Sequence, residues 1–536
     1  RTPGVVRRIE GPALRRAGSE VRAVADFQGD GLGDLAITAP DSGSVYLVFS
    51  NSGVFNGNLE ARAAQRSAVP RFDLGRATPA QLIPFRAVGD DANNRFFANV
   101  GDINGDGRAD VLRDTSGSAF TLTPPRPRFN IGFGTANGPF PPASTLNGRN
   151  GLSLVGATAD RFAIEVSGGG DFDGDGRLDL VATLNDGSGT LIYGKITSFR
   201  AFPATIDTAQ ASPGTIRFGY SDNVRTIKQM RLIGDVNGDG RGDLLALSCT
   251  GSNGCTSASG DWRIDLVYGR AQRASFAIEA LAAPAARVVL AAGDGRRLSL
   301  SREVDIGDIG GDTRRDFAVR LANGDDAIVF GSAGLPANIN LSALTGLNGF
   351  RITGRSRSLV RIGRFTGGSR DDLAIALPDL GTPGSVVGAV QVYRGRAGAL
   401  AASIDPVVLG PANLGPRFLG SAGIRISLTP FQEAVAADLS GDAALELLIA
   451  ASSSEGRAPG SGVAVLVPGF GSAWTNTDFI LDYSDALPTR IITGEAGSIF
   501  SFGAVSGLIP LGDLDGDGRP EIATNETEII RGSALQ

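Results

Sequence analysis

Asp171-Phe172-Asp173-Gly174-Asp175-Gly176-Arg177-Leu178-Asp179 is the stretch on which the fold turns. Carboxylates stand at positions 1, 3, 5 and 9 of a nine-residue loop, and two glycines allow a tight backbone turn between them. An apolar run, Leu180-Val181-Ala182, follows at once. The same pattern, D-x-[DN]-G-D-G-x-x-D, returns along the chain at 26–34, 102–110, 171–179, 235–243, 308–316, 438–446 and 513–521, and in degenerate form at 364–372. Successive loops begin 56 to 76 residues apart, so eight repeats of about 70 residues fill all 536 positions. A period of that size signals a repeat architecture.

Each repeat has the same order of parts. An apolar segment enters the loop, as in Arg231-Leu232-Ile233-Gly234, and a second leaves it, as in Leu35-Ala36-Ile37. A Gly/Ser/Asp turn leads to a third segment ending in Gly, such as Thr190-Leu191-Ile192-Tyr193-Gly194 or Leu266-Val267-Tyr268-Gly269. A longer variable stretch precedes a fourth segment, such as Phe350-Arg351-Ile352-Thr353-Gly354. Short β-branched runs bounded by turn residues read as strands. Four antiparallel strands per repeat make a propeller blade. The expectation is therefore an all-β chain, residues 1–536 forming a single eight-bladed β-propeller, with seven blades as the alternative. After the last loop only two further strands follow, near Ile522 and Ile529, while Val5-Val6-Arg7-Arg8-Ile9-Glu10-Gly11 fits the fourth-strand pattern ahead of the first loop. The N-terminal strand is thus expected to complete the last blade and close the ring; otherwise the ring stops unclosed at Gln536.

Calcium takes six to eight oxygen ligands in flexible geometry. Side chains at positions 1, 3, 5 and 9, with the carbonyl at position 7, supply such a set. The complete loops offer Asp102, Asn104, Asp106 and Asp110; Asp171, Asp173, Asp175 and Asp179; Asp235, Asn237, Asp239 and Asp243; and Asp513, Asp515, Asp517 and Glu521. Asp26, Gln28, Asp30 and Asp34 make a nearly complete one. Two are weaker: Asp308, Asp312 and Asp316 have Gly310 at position 3, and Asp438, Ser440, Asp442 and Glu446 have Ala443 in place of the loop glycine. In 364–372, Arg364, Thr366 and Gly368 replace the ligands, and Arg364 is a candidate to fill the cation position itself. About four to six structural calcium ions follow from this reading. An EF-hand is excluded because position 12, which must be acidic there, is Ile37, Arg113, Ala182, Ala246 and Thr524 in the five best loops.

The loops, the following Asp34-Leu35-Ala36-Ile37-Thr38-Ala39-Pro40 and the Tyr/Phe-Gly strand ending resemble the FG-GAP repeats of integrin α-subunit heads and related bacterial surface proteins. The resemblance spans the whole chain. It implies that the loops join the first two strands of each blade and bind calcium for structure. Two shorter matches read as scaffold. Arg241-Gly242-Asp243 ends in position 9 of a calcium loop, and Asp186-Gly187-Ser188-Gly189-Thr190 falls on a hairpin turn.

The rest of the composition narrows function. There are no histidines, which removes the commonest general base and zinc ligand. Lys195 and Lys228 are the only lysines among 50 basic residues, an arginine bias that fits a GC-rich bacterial genome. A net charge of −6 does not suggest nucleic-acid binding. Cys249 and Cys255, the only cysteines, flank a Gly/Ser/Asn turn suited to a disulfide, which points to an oxidising compartment: extracellular, cell surface or periplasmic. No run is long and apolar enough to span a membrane. The chain opens at Arg1 without Met, so any signal segment lies outside it. A non-enzymatic binding or scaffold protein, with a protein partner or surface assembly, is the leading expectation. The alternatives are a calcium-dependent polysaccharide lyase, since some rhamnogalacturonan lyases resemble this architecture, and a glycan-binding lectin. For a lectin, Trp262 and Trp474 do not recur in the repeat.

Overall fold

The computed structural model describes residues 97–420 apart from 115–127, 135–144, 156–165, 251–260 and shorter breaks. Outside that span it describes residues 6–10, 21–27, 34–39, 44–48, 71–73, 82–86, 434–437, 446–451, 463–467, 475–480, 490–493, 509–510, 522–523 and 528–530. The described strands form eight sheets of four to six strands, and one two-stranded ribbon. Each sheet is a sequential antiparallel meander. In repeat 3 the order is Val166–Gly170, Asp179–Thr183, Gly189–Ile192 and Thr215–Gly219. Repeat 4 has Arg225–Ile233, Asp243–Thr250, Trp262–Val267 and Arg287–Ala291. In every case the Asp-rich loop joins the first strand to the second. In the last repeat, Ile509–Pro510, Ile522–Ala523 and Glu528–Ile530 are followed by Val6–Glu10 from the other end of the chain, with Val6 opposite Ile530 and Arg8 opposite Glu528.

The variable stretch between third and fourth strands has a structural task that its sequence does not announce. It carries a short strand that reaches back and pairs, parallel, with the fourth strand of the preceding sheet. Thr205–Asp207 of repeat 3 lies on Gly151–Val155 of repeat 2, and Phe276–Ala277 of repeat 4 lies on Thr215–Gly219 of repeat 3. The same pairing joins Asn338–Asn340 to Arg287–Ala291, Ser403–Ile404 to Gly349–Ile352, Asp478–Ile480 to Arg417–Leu419, and Arg71–Asp73 to Val6–Glu10. Each such strand covers an open sheet edge.

The chain divides into two compact units. One comprises Arg1–Phe97, Ser356–Gly395 and Pro406–Gln536, and the other Ala98–Arg355 with Arg396–Asp405. In the second unit the apolar cores lie between consecutive sheets. Leu180 and Ala182 pack with Leu112, Ile131 and Leu154 of repeat 2, while Val181 between them packs with Leu232 and Leu244 of repeat 4. Leu244 and Ala246 in turn face repeat 3, and Leu245 and Leu247 face Phe317 and Val319 of repeat 5. Successive side chains of a strand point to opposite faces. Here both faces are covered, so the second strands read as continuous apolar runs and not as alternating ones. Each fully buried Val or Leu contributes roughly 1.5–3 kcal/mol. In the first unit, Ala374, Ala376 and Val390 of repeat 6 pack with Leu447, Ile449 and Val467 of repeat 7 in the same manner.

Candidate metal centre

The described loops are 102–110, 171–179, 235–243, 308–316 and 364–372. Of the other predicted ligands, Gln28, Asp30, Asp438, Ser440, Asp442, Asp513, Asp515, Asp517 and Glu521 lie outside the described residues. Asp26 is half-buried at the end of an incoming strand, and Asp34 and Glu446 begin second strands.

In loop 171–179 the position-1 carboxylate gathers the turn. Asp171 Oδ1 accepts from the amides of Gly174 (2.8 Å) and Asp175 (3.1 Å), and Oδ2 from Gly176 (2.7 Å). Asp102, Asp235 and Asp308 hold their own loops by amides at the equivalent positions. Gly174 and Gly176 both adopt positive φ, +77° and +84°. Loop 308–316 keeps this shape although its sixth residue is Thr313, forced to φ +72° as the one non-glycine with positive φ among the described residues. That conformation costs a β-branched residue about 1–2 kcal/mol.

Position 9 has a second task beyond the expected ligand role. Asp179 is wholly buried and both its oxygens accept backbone amides, Oδ2 from Phe172 (2.8 Å) and Oδ1 from Gly194 (2.8 Å). Asp110 does the same with Ile103 and Gly134, Asp243 with Val236 and Gly269, and Asp316 with Ile309 and Gly331. This carboxylate therefore ties the loop to the end of the third strand. The degenerate loop retains it: Asp372 accepts from the Thr366 amide and hydroxyl and from the Gly395 amide. Arg364 is exposed there. Burial pushes Asp179, Asp243 and Asp316 up to about 7, against the pull of those amides, and raises Asp110 and Asp372 as well.

Two further positions went unread in the sequence. Position 2 is a buried apolar anchor in every loop described there: Phe27, Ile103, Phe172, Val236, Ile309 and Phe365. The signal was available, because all eight loops carry an apolar residue at that place, Leu439 and Leu514 included. In loops 4 and 5 position 7 is an arginine that reaches the preceding loop. Arg241 Nε donates to the Asp173 carbonyl (3.3 Å) and Arg314 Nε to the Asn237 carbonyl (3.2 Å). Backbone bonds run alongside: Gly242 N to Asp171 O (2.7 Å), Arg315 N to Asp235 O (2.9 Å), Lys195 N to Ile103 O and Arg270 N to Phe172 O (both 2.8 Å). Loops 3 to 5 thus form one hydrogen-bonded row, and loop 2 is joined to it through Lys195, just past the third strand of repeat 3. The glycine ending each third strand is explained by the same closeness, since a Cβ on Gly269 would stand 2.5 Å from the Gly242 carbonyl oxygen and 2.7 Å from that of Phe172.

Asp171, Asp173 and Asp179 bring one carboxylate oxygen each within 4.8 Å of one another, the one such acidic trio among the described residues. All donors are hard oxygens on a turn that offers further carbonyls, which fits calcium and not zinc. Asp175 stands outside this trio and is paired instead with Arg177 Nη1 (3.0 Å) and Arg273 Nη2 (2.8 Å).

The shorter matches have plain structural roles. Asp186 caps its hairpin turn through the Ser188 amide (3.0 Å) and binds Arg217 (2.6 Å). Asp243 is the buried position-9 tie. A second polar cluster lies between sheets 3 and 4, where wholly buried Asp265 accepts from Tyr220, Arg263 (3.0 Å) and Arg287 (3.2 Å). Cys249 is buried on its strand opposite Trp262, and Cys255 lies outside the described residues. No helix among the described residues is long and apolar enough to cross a membrane.

No protein-family model and no curated protein matches the chain. Among solved structures it is similar to two crystal structures of BBS1N in complex with ARL6DN, one soaked with lead and one with mercury. Identity is 10% and 11%, and the alignments cover 74% and 82% of this chain and 83% and 94% of those chains. The TM-score is 0.32 in both, too low for the likeness to carry an argument about fold or partner.

Proposed function

We propose that the chain is a calcium-stabilised, eight-bladed β-propeller of FG-GAP type, closed by its N-terminal strand, which acts without catalysis as an extracellular or surface scaffold for protein partners. The observation that carries the calcium reading is the convergence of Asp171, Asp173 and Asp179 in a loop whose backbone is repeated in loops 2, 4 and 5. Loop 171–179 supplies carboxylates from Asp171, Asp173 and Asp179. Loops 102–110 and 235–243 supply theirs from Asp102 and Asp235, with the Asn104 and Asn237 amide oxygens. Because consecutive loops are hydrogen-bonded in a row, an ion in one braces its neighbours. Pairing of Val6–Glu10 with Glu528–Ile530 supports closure. The sheet-upon-sheet cores support stacked blades.

The buried position of Cys249, and the lack of a free thiol among the described residues, support a Cys249–Cys255 disulfide and an oxidising compartment. In the lyase reading, Tyr220, Arg263 and Asp265 are candidate groups, but Asp265 is fully engaged by its neighbours.

An ion that binds only the folded state stabilises it by about 2.7 kcal/mol at a hundredfold excess over Kd. Several sites acting together therefore predict a large fall in Tm on exhaustive EGTA treatment, restored by calcium and not by magnesium. An unchanged Tm, with no calcium retained by equilibrium dialysis, overturns the reading. A pull-down at millimolar calcium, set against one in chelator, identifies calcium-dependent partners. Incubation with pectic polysaccharide, followed by absorbance of unsaturated products, tests the lyase.

A further inference from the structure

Loop 3 carries one more charge than its neighbours. Position 3 is Asp173, where loops 2 and 4 have Asn104 and Asn237. In those two loops the asparagine amide donates to the position-5 carboxylate, Asn104 Nδ2 to Asp106 Oδ2 and Asn237 Nδ2 to Asp239 Oδ2, both at 3.2 Å. Asp173 at position 3 of loop 3 has no amide to donate, and Arg177 of the same loop reaches only Asp175 (3.0 Å). The place of the amide is taken by Arg273, about a hundred residues later, whose Nε donates to Asp173 Oδ2 and whose Nη2 donates to Asp175 Oδ2 at 2.8 Å. The guanidinium also lies over the Tyr193 ring, 4.6 Å from its centre. Tyr193 is wholly buried, and its hydroxyl has no hydrogen-bond partner.

The placement of Arg273 is held from both sides. Arg270 N donates to Phe172 O, inside loop 3 itself, and Phe276–Ala277 pairs with Phe218 and Gly219 of sheet 3. Between these two anchors the Arg273 side chain is 40% exposed, while Asp173 is 2% exposed. The acid is fixed and the base can leave. A divalent ion and a guanidinium drawn to the same carboxylates repel each other strongly at such range.

We propose that Arg273 is a tethered cation that competes with calcium for loop 3, so that the loop with the most carboxylates is the weakest and last filled of loops 2, 3 and 4. The inference rests on the calcium reading of the loops. Filling loop 3 releases Arg273 from Asp173 and Asp175 and loosens the 271–275 connection, whereas in loops 2 and 4 the described position-5 carboxylates are held by asparagine and arginine of their own loop.

The test is calcium titration calorimetry on the full chain, with Tm measured in EGTA and in millimolar calcium. In Arg273→Gln one site is expected to tighten at least tenfold, and this gain disappears in the Arg273→Gln/Asp171→Asn double variant. The same Arg273→Gln protein melts earlier than wild type in EGTA, because Asp173 loses its counter-charge while Asp175 keeps Arg177, yet not earlier in calcium. A purely structural arginine would lower Tm in both conditions. Arg273→Lys keeps the charge and holds the affinity near wild type. If lysine tightens the site as much as glutamine does, or if glutamine leaves it unchanged, while Asp102→Asn and Asp235→Asn each remove one bound calcium, the competition is overturned and the calcium reading stands. If none of the loop variants changes the calcium bound, both fall.

Discussion

Loops 171–179 and 364–372 occupy the same place in repeats 3 and 6, between first and second strands, and share a phenylalanine at position 2 and an aspartate at position 9. Phe172 and Phe365 are both fully buried, and Asp179 and Asp372 both tie the loop to the end of the third strand. What differs is the rim: Asp171, Asp173 and Asp175 in one, Arg364, Thr366 and Gly368 in the other. One motif therefore combines two separable tasks. Positions 2 and 9 build the corner of the sheet, and in the proposed calcium site positions 1 and 3 join position 9, which serves both tasks. A repeat can lose the second task and keep its sheet.

The sharpest way to break this division is at position 2. Phe172→Ala and Phe365→Ala should each cost about 3–5 kcal/mol, as for other buried phenylalanines, and by similar amounts in calcium and in EGTA. A Phe365→Ala cost below about 1 kcal/mol, read from urea midpoints, would mean that loop 6 has lost its corner too. Next in size is Asp372→Ala, which strands the amides of Thr366 and Gly395. It should cost about 2–4 kcal/mol with bound calcium unchanged. Asp179→Ala should cost as much and release one calcium besides. Equal calcium stoichiometry in the two variants would merge the tasks that the comparison separates.

The pH dependence sharpens the comparison further. Burial holds Asp179 and Asp243 up to about 7. Calcium requires their ionised form, so its affinity should fall as pH drops below 7, by up to tenfold per unit for each proton that must be displaced. In EGTA the sign reverses. A carboxyl whose folded pKa lies above its unfolded value of about 3.9 adds stability as pH falls from 7 towards 4, and that stability is lost as pH rises through 7. Calcium Kd and EGTA Tm at pH 7.5 and 5.5 should therefore move in opposite senses, affinity down and metal-free Tm up. A Kd indifferent to pH would remove position 9 from the calcium site. The smallest effect is at loop 5, where Thr313→Gly should relieve the positive φ and stabilise by about 1 kcal/mol. A destabilised Thr313→Gly would show that the threonine is tied down by something other than its backbone.

Much of this was legible in the residues. The loops, the strand segments around them and the partner of the N-terminal strand all rest on local chemistry, acid-and-glycine turns and short apolar runs bounded by turn residues, which a sequence displays directly. The rest was hidden for physical reasons. Strands such as Phe276–Ala277 and Ser403–Ile404 are two residues long and form only because a sheet edge waits for them. The amide-binding task of position 9 leaves no mark of its own, because an aspartate that caps amides and one that faces an ion are the same letter. The Arg273 contact spans about a hundred residues and leaves no local trace. Position 2 is visible in the sequence as an apolar residue in all eight loops, but its identity varies among Phe, Ile, Val and Leu, so it carries no single letter to mark it.

The parallel strands that reach back from one repeat to the one before it have a consequence for how such a chain can grow. The edge of a sheet is completed by residues that lie one repeat downstream, so the spatial module is offset from the duplicated one. A seventy-residue insertion cut at the Asp loops would arrive with its own meander but would depend on its successor for a fifth strand, as Thr215–Gly219 depends on Phe276–Ala277. Removing one repeat would leave its predecessor with an uncovered edge unless the next variable stretch happened to fit. The repeats are therefore joined by carpentry: each joint is cut into the neighbouring plank.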